Sequence, residues 1–327
     1  MKKRFRLRDV CVQEVIMRCL IIDEVDACIA EELGKVMDVD VAEKMPLTHA
    51  ELKERIAPYD VLIMRVDPKI DAELLDAAEN LKFIGVCSVG LNHVDMDAAK
   101  AKGITVQNAP GLNGNAVAEL TLCKMLELAR NTITANNDVK YKHEWDKYKF
   151  MGSELKGKTV GILGFGRIGQ RVGFLCRAFG MKVLAYDPYL PMEIFEKEQA
   201  QGTQTDPFFV LHNSDFVTIH VPLNDETRNL VCKEQIEQMR PGAFVLNMSR
   251  GGIVNEEDAY EALKNGKLGG YATDVMVDEL SEGADFHSPL FDCDNFIVTP
   301  HIGAQSVDAA YAIGQFIIGK CKEALKL

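Results

Sequence analysis

Short runs of consecutive apolar residues alternate along this chain with longer stretches in which apolar positions recur every three or four residues. That is the pattern of buried parallel strands joined by helices. There are two series. The first has apolar runs at 19–22, 61–64, 83–86 and 104–106, with helix-like stretches such as 71–79 between them. The second has runs at 159–163, 182–186, 216–220, 243–247, 271–275 and 296–298, enough for a complete doubly wound sheet. Residues 115–131 are rich in apolar positions and lack Gly and Pro, which predicts a helix linking the two series. Residues 304–327 again have helical character, so the chain is expected to return to the first domain. The fold class expected is α/β with two doubly wound parallel-sheet domains. A Rossmann domain at 108–299 is inserted in a flavodoxin-like one made of 1–107 and 300–327.

Length and charge narrow the picture. The 327 residues are about twice the usual size of one domain, and 47% apolar with 26% charged residues describes an ordinary globular chain. A formal charge of −12 disfavours nucleic acid and anionic membrane surfaces as partners. The basic cluster Lys2, Lys3, Arg4, Arg6 and Arg8 is not followed by an uninterrupted apolar run, so no secretory signal is expected, and no stretch reaches membrane-spanning length. Residues 1–16 precede the first strand pattern and are expected to be a flexible extension without assigned function. The nine cysteines are odd in number and form no Cys-x-x-Cys, which argues against a disulfide framework or a metal site and for a reducing cytoplasm.

The chemistry concentrates in the second series. Gly164-Phe-Gly166-Arg167-Ile168-Gly169 directly follows an apolar run and opens a helix-like stretch. In that context the first glycine permits the tight turn, the second lets backbone approach a pyrophosphate, and the third lets helix and strand pack closely. A turn of this kind without a ligand is the alternative. Asp187 ends the next apolar run, where a carboxylate accepts the ribose hydroxyls of NAD and repels the 2′-phosphate of NADP; no arginine follows to neutralise it. An exposed aspartate in an Asp-Pro turn is the plainer reading. Arg250, Glu279 and His301 lie beyond later runs, at the ends where doubly wound sheets place ligands. They offer a bidentate anion clamp, an orienting carboxylate and a proton carrier, the parts that reduction of a 2-oxo acid needs. Any one of them alone would more often be an ordinary loop residue.

Taken in order, the motifs resemble the D-isomer-specific 2-hydroxyacid dehydrogenase family over nearly all of residues 17–327. They are Ser88-Val-Gly-Leu-Asn-His-Val-Asp95, Val117-Ala-Glu119, the Gly164 turn with Asp187, His220-Val-Pro222-Leu223, Asn247-Met248-Ser249-Arg250-Gly-Gly-Ile-Val-Asn255, Asp274 to Glu279, and Thr299-Pro-His301-Ile-Gly303. The resemblance implies that Arg250 binds the 2-oxo acid, that His301 is the acid/base, and that Glu279 pairs with it. It implies that the backbone of Ser88, Val89 and Gly90 holds the substrate carboxylate, with Arg65 reaching over the substrate, which lies between the domains. It further implies an NAD site lined by Arg167, Ile168, Asp187, His220, Pro222, Met248, Ser249, Asp274, Gly303 and Ala304, and a homodimer joined through the NAD-binding domains.

Leu280 stands where the family usually has Pro, and residues 145–155 are similar to phosphoglycerate dehydrogenases. Those continue the Arg65 motif with phosphate-binding hydroxyl residues, where this chain has Val66, Asp67 and Pro68. The sequence ends at Leu327, so the regulatory C-terminal domain that some of them carry is not expected. The expectation is therefore an NAD-dependent dehydrogenase of a small 2-oxo or 2-hydroxy acid of the hydroxypyruvate or glyoxylate type. D-3-phosphoglycerate dehydrogenase is the alternative enzyme, and an NAD-sensing, corepressor-like binding protein the alternative of another class.

Overall fold

The computed structural model describes residues 17–204, 206–277, 279 and 287–327. The expectations about residues 1–16 and about Leu280 lie outside the described residues. The chain forms two units, one from residues up to Leu112 together with Val307–Leu327, the other from Asn113–Ser306.

The first unit holds a five-stranded sheet of β1 (Arg18–Ile21), β2 (Asp38–Val41), β3 (Val61–Met64), β4 (Phe83–Val86) and β5 (Thr105–Asn108). All its pairings are parallel and the order is β2-β1-β3-β4-β5, so the winding reverses between β1 and β3. β3 and β4 are buried at every position, as strands covered by helices on both faces must be. The helix Val307–Leu325 closes one face by packing Ile313, Ile317, Ile318 and Cys321 among Cys19, Ile63 and Phe83. It lies so close to β4 that a Cβ on Gly85 would stand 2.7 Å from Ile317 Cγ2.

The second unit holds a seven-stranded parallel sheet of β6 (Thr159–Leu163), β7 (Lys182–Tyr186), β8 (Gln201–Thr203), β9 (Phe216–Ile219), β10 (Ala243–Asn247), β11 (Leu268–Thr273) and β12 (Phe296–Val298). Its order, β12-β11-β10-β9-β6-β7-β8, reverses between β6 and β9, the winding of a Rossmann sheet. The helix Gly114–Arg130 belongs to this unit, with Met125 and Leu128 buried in the same core as Val160, Ile162 and Val172.

Two strands escape the reading by apolar runs. β2 is Asp-Val-Asp-Val with no fully buried residue, and β8 is Gln-Gly-Thr; both are sheet edges, which need no apolar face on either side. β11 starts at Leu268 and ends at Thr273 rather than spanning 271–275. Its Gly269 and Gly270 are packing positions, since a Cβ would meet Gly242 O at 2.4 Å and Leu128 Cδ2 at 2.8 Å respectively.

Candidate active site

In the second unit the candidate residues stand after the C-terminal ends of neighbouring strands. The turn after β6 lies at the switch point of the sheet, and its three glycines meet three different demands. Gly164 has φ +89°, and a Cβ there would sit 2.7 Å from the carbonyl oxygen of His220. Gly169 faces Gly164 O at 2.2 Å from its would-be Cβ, so only glycine lets the helix Arg167–Ala178 rest on the turn. A Cβ on Gly166 would meet nothing within 4 Å. Open space beside the first turn of a twelve-residue helix is what an anion needs to approach the positive end of the helix dipole, so this turn fits a dinucleotide pyrophosphate. Arg167 is exposed and Ile168 half-buried at the same helix end.

Asp187 lies beyond β7 and reaches back to this turn. Its Oδ2 accepts the N–H of Phe165 at 2.9 Å and its Oδ1 the N–H of Tyr189 at 3.0 Å. A carboxylate has about four lone-pair directions, so each oxygen keeps acceptor capacity for a ribose hydroxyl. Gln170, invisible to motif reading, braces the turn from inside by donating its amide to Phe165 O at 2.8 Å. Opposite, the His220 ring shares a contact of 2.9 Å with Thr218 Oγ1, while its Nδ1 is enclosed without a partner. Burial pushes this imidazole down to about 3, so the ring is neutral at ordinary pH. Pro222 is exposed just beyond it.

After β10, Asn247 folds the chain back on itself: its Oδ1 accepts the N–H of Ser249 at 3.2 Å and its amide donates to Arg250 O at 2.9 Å. Met248 is buried, Ser249 Oγ donates to Ile219 O at 3.2 Å, and Arg250 is exposed with Nη1 on Ser249 O at 2.7 Å. Gly251 lets this loop lie against the one after β11, for its Cβ would stand 2.2 Å from Met276 O.

The loops after β11 and β12 bring the remaining candidates together. His301 Nδ1 is 3.1 Å from Glu279 Oε1. Burial raises the Glu279 carboxyl, but the His301 hydrogen bond and charge, the Met276 N–H and the Arg250 guanidinium outweigh it, and the group lies below the ordinary glutamate range. An ionised carboxylate only accepts, so Nδ1 carries the shared proton and Nε2 is left for other work.

His301 has φ +52°, a left-handed conformation uncommon outside glycine. Asp274, buried and just past β11, holds it there. The Asp274 carboxylate accepts from Thr299 Oγ1 at 2.7 Å, from Ile302 N at 2.9 Å and from Gly303 N at 2.7 Å, while its carbonyl accepts from His301 N at 2.9 Å. A Cβ on Gly303 would crowd Asp274 Oδ2 at 2.9 Å; Ala304 beside it is half-buried. The expected placement of Asp274 at the cofactor thus comes with a second, internal task that motif spacing does not reveal.

In the first unit, Arg65 follows β3 and Ser88, Val89 and Gly90 follow β4, again at C-terminal strand ends. Ser88 Oγ donates to Arg65 O at 3.1 Å, and Asn108 donates its amide to Val89 O at 2.6 Å. Asp23 and Asn108, both missed in the sequence, tie these loops through main-chain atoms, which no side-chain motif reports.

A Gly-rich turn at the switch point of a seven-stranded parallel sheet, with an acid beyond the next strand, defines a dinucleotide-binding protein. The model of the D-isomer specific 2-hydroxyacid dehydrogenase, NAD binding domain, matches residues 122–303. A D-3-phosphoglycerate dehydrogenase of Methanocaldococcus jannaschii is 40% identical over 311 residues, covering 95% of this chain and 58% of that protein. A hydroxypyruvate reductase of Thermotoga maritima is 39% identical over 271 residues, covering 83% of this chain and 86% of that protein. Among solved structures, D-lactate dehydrogenase of Aquifex aeolicus complexed with NAD and lactic acid superimposes with a TM-score of 0.77 at 28% identity, covering 94% of this chain and 95% of that one. The chain belongs to the D-isomer specific 2-hydroxyacid dehydrogenase family and carries its NAD binding domain. It spans 58%, 52% and 54% of the length of three of the phosphoglycerate dehydrogenases it matches, little over half. No helix among the described residues is long and apolar enough to cross a membrane.

Proposed function

We propose that this protein is an NAD-dependent D-2-hydroxyacid dehydrogenase that reduces a small 2-oxo acid. The observation that carries the reading is the His301–Glu279 pair at 3.1 Å on the sheet whose switch point carries the glycine turn. The bound nicotinamide supplies the hydride for C2. His301 holds its proton on Nε2 and delivers it to the substrate carbonyl oxygen as charge develops there, while the Glu279 carboxylate stabilises the imidazolium through Nδ1–H. Arg250, exposed after β10, polarises the carbonyl and grips the carboxylate. From the family resemblance, Ser88, Val89, Gly90 and the Arg65 cation are read as substrate-binding residues of the first unit. Asp187 favours NADH over NADPH by repelling the extra phosphate.

The substrate is read as unphosphorylated, of the hydroxypyruvate or glyoxylate type. A phosphate carries close to two charges and asks for several donors. Val66 and Asp67, both exposed beside Arg65, offer no hydroxyl and one like charge. The second reading is D-3-phosphoglycerate dehydrogenase, favoured by the 40% identity to the Methanocaldococcus jannaschii enzyme; Lys69 would then supply charge to the phosphate. Comparing kcat/KM for hydroxypyruvate, glyoxylate and 3-phosphohydroxypyruvate with NADH and NADPH decides between them. Preference for the phosphorylated acid overturns the first reading, and absence of turnover with every acid, despite NADH binding, points to a binding protein.

The protein is further read as a cytoplasmic homodimer joined through the second unit. Tyr141, Trp145, Tyr148 and Met151 are 71–87% exposed within one short segment, an apolar surface larger than scattered single residues leave. A monomer in sedimentation velocity at micromolar concentration would remove that part of the reading.

A further inference from the structure

The proposed chemistry leaves open how Arg65 is aimed, for it sits on a loop whose next two residues are exposed. We infer that Asp23 is a positioning residue for substrate binding, which orients Arg65 through its main chain without touching the substrate. This rests on the reading of Arg65 as a substrate cation.

Asp23 follows β1 and Arg65 follows β3, the neighbouring strands between which the winding of the first sheet reverses. The crevice outside the C-terminal strand ends at such a reversal is where doubly wound sheets take ligands. One oxygen of the Asp23 carboxylate, Oδ2, accepts the N–H of Arg65 at 3.0 Å and that of Val66 at 3.3 Å. The other, Oδ1, accepts the N–H of Glu24 at 2.8 Å, which fixes the carboxylate's own rotation. Successive peptide N–H groups converging on one charged oxygen set the planes on either side of the Arg65 Cα, and bonds to an ionised acceptor are about twice as strong as neutral ones.

The opposite side of the same residue faces the Ser88 hydroxyl, whose one proton is shared between Arg65 O at 3.1 Å and Gly90 O at 3.2 Å. Ser88 is itself anchored, since its carbonyl accepts the N–H of Ala109 at 3.0 Å. Arg65 is therefore clamped at its N–H from β1 and at its carbonyl from β4, and the direction of its Cα–Cβ bond follows from those two contacts. The buried Cys87 thiol, pushed up to about 12 chiefly by burial, is in addition pulled down by the Arg65 charge and raised by that of Asp23. Nothing in the sequence motif around Arg65 contains Asp23, which lies 42 residues earlier.

The test is a double-mutant cycle on the full chain, with hydroxypyruvate and NADH, and with 3-phosphohydroxypyruvate in parallel. Asp23→Ala is expected to raise KM for the 2-oxo acid by about 10-fold while kcat changes by less than about 3-fold. The Kd of NADH, read by its fluorescence, stays unchanged. On an Arg65→Ala background the same substitution adds less than about 2-fold, because the residue it positions is gone. Asp23→Asn, which keeps one acceptor oxygen, recovers most of the KM. An Asp23→Ala effect that persists in full on the Arg65→Ala background, or an unchanged KM in Asp23→Ala, overturns the inference. Should Asp23→Ala not fold, Ser88→Ala runs the same cycle from the carbonyl side of Arg65, with the same loss of additivity expected. An Arg65→Ala enzyme with the original KM would instead overturn the substrate role of Arg65, and this inference with it.

Discussion

The turn after β6 and the loop after β12 are both backbone segments at C-terminal strand ends of one sheet, and both need a left-handed residue. They obtain it by opposite means. At Gly164, φ +89° is reached by having no Cβ, and the space gained is what brings backbone close to a ligand. At His301, φ +52° has to coexist with an imidazole, so glycine is not an option where a proton must be carried. Such a conformation costs on the order of 1–3 kcal/mol and persists only where surrounding contacts over-determine it. Here the contacts are those of Asp274 with Thr299, His301, Ile302 and Gly303. A binding turn can be made by deletion of atoms, whereas a reacting loop has to be held by added ones.

The comparison can be broken first at its chemical end. His301→Gln is expected to lower kcat for 2-oxo acid reduction by about 10³-fold, within the range for loss of a general acid, with NADH affinity retained. Residual activity above a tenth of the original would deny His301 the proton. Asp274→Ala comes next: it strands the N–H groups of Ile302 and Gly303 and the Thr299 hydroxyl, and is expected to cost about 3 kcal/mol in chemical denaturation together with about 100-fold in kcat/KM. An Asp274→Ala protein of unchanged stability would show that the loop is held by something else.

The glycine turn sharpens the contrast through two substitutions that differ only in what a methyl group meets. Gly164→Ala combines a left-handed φ with a clash at 2.7 Å and is expected to destabilise the fold by about 2 kcal/mol or more. Gly166→Ala meets nothing within 4 Å at an ordinary φ, so Tm should stay within about 2 °C while NADH binding weakens by about 10-fold. Equal Tm losses in the two would remove the distinction between a conformational and a ligand-facing glycine.

The smallest expected effect concerns pH. The Glu279 carboxyl lies below the ordinary glutamate range, so it is ionised above that range and loses its charge only as pH falls through the lowered value. Glu279→Gln removes a negative charge from beside the imidazolium. The acid limb that protonation of Glu279 sets in the reduction profile should therefore be lost, with part of kcat kept. An unmoved limb would leave Glu279 a structural neighbour of His301.

How much of this could be read in advance follows from where the information sits. Central strands such as β3, β4 and β6 are buried throughout, so their composition announces them. The edge strands β2 and β8 contain no run of consecutive apolar residues, so a reading by such runs passes over Asp-Val-Asp-Val and Gln-Gly-Thr. Gly164, Gly166 and Gly169 were legible because glycine acts through its own missing side chain. Asp23 and Asn108 were not, since each acts on main-chain atoms remote in sequence, nor was Gln170, which bonds a main-chain oxygen of its own turn; an aspartate that accepts peptide N–H groups looks like any other aspartate. Asp274 stood out only for its place near a motif, while its hold on His301 depends on a distance of 25 to 29 positions along the chain.

The helix Val307–Leu325 gives the first unit a history that its sheet alone would not have. All five strands of that sheet precede Asn113, yet the face around Gly85, Ile63 and Phe83 is covered by a segment that follows the whole second unit. On a ribosome, where domains generally fold as units in order of emergence, the inserted unit has its entire sheet and core available while its predecessor still shows a bare apolar surface. The earlier half of the protein is then the later one to be finished, and during that interval it is the part most exposed to misassociation and to chaperones.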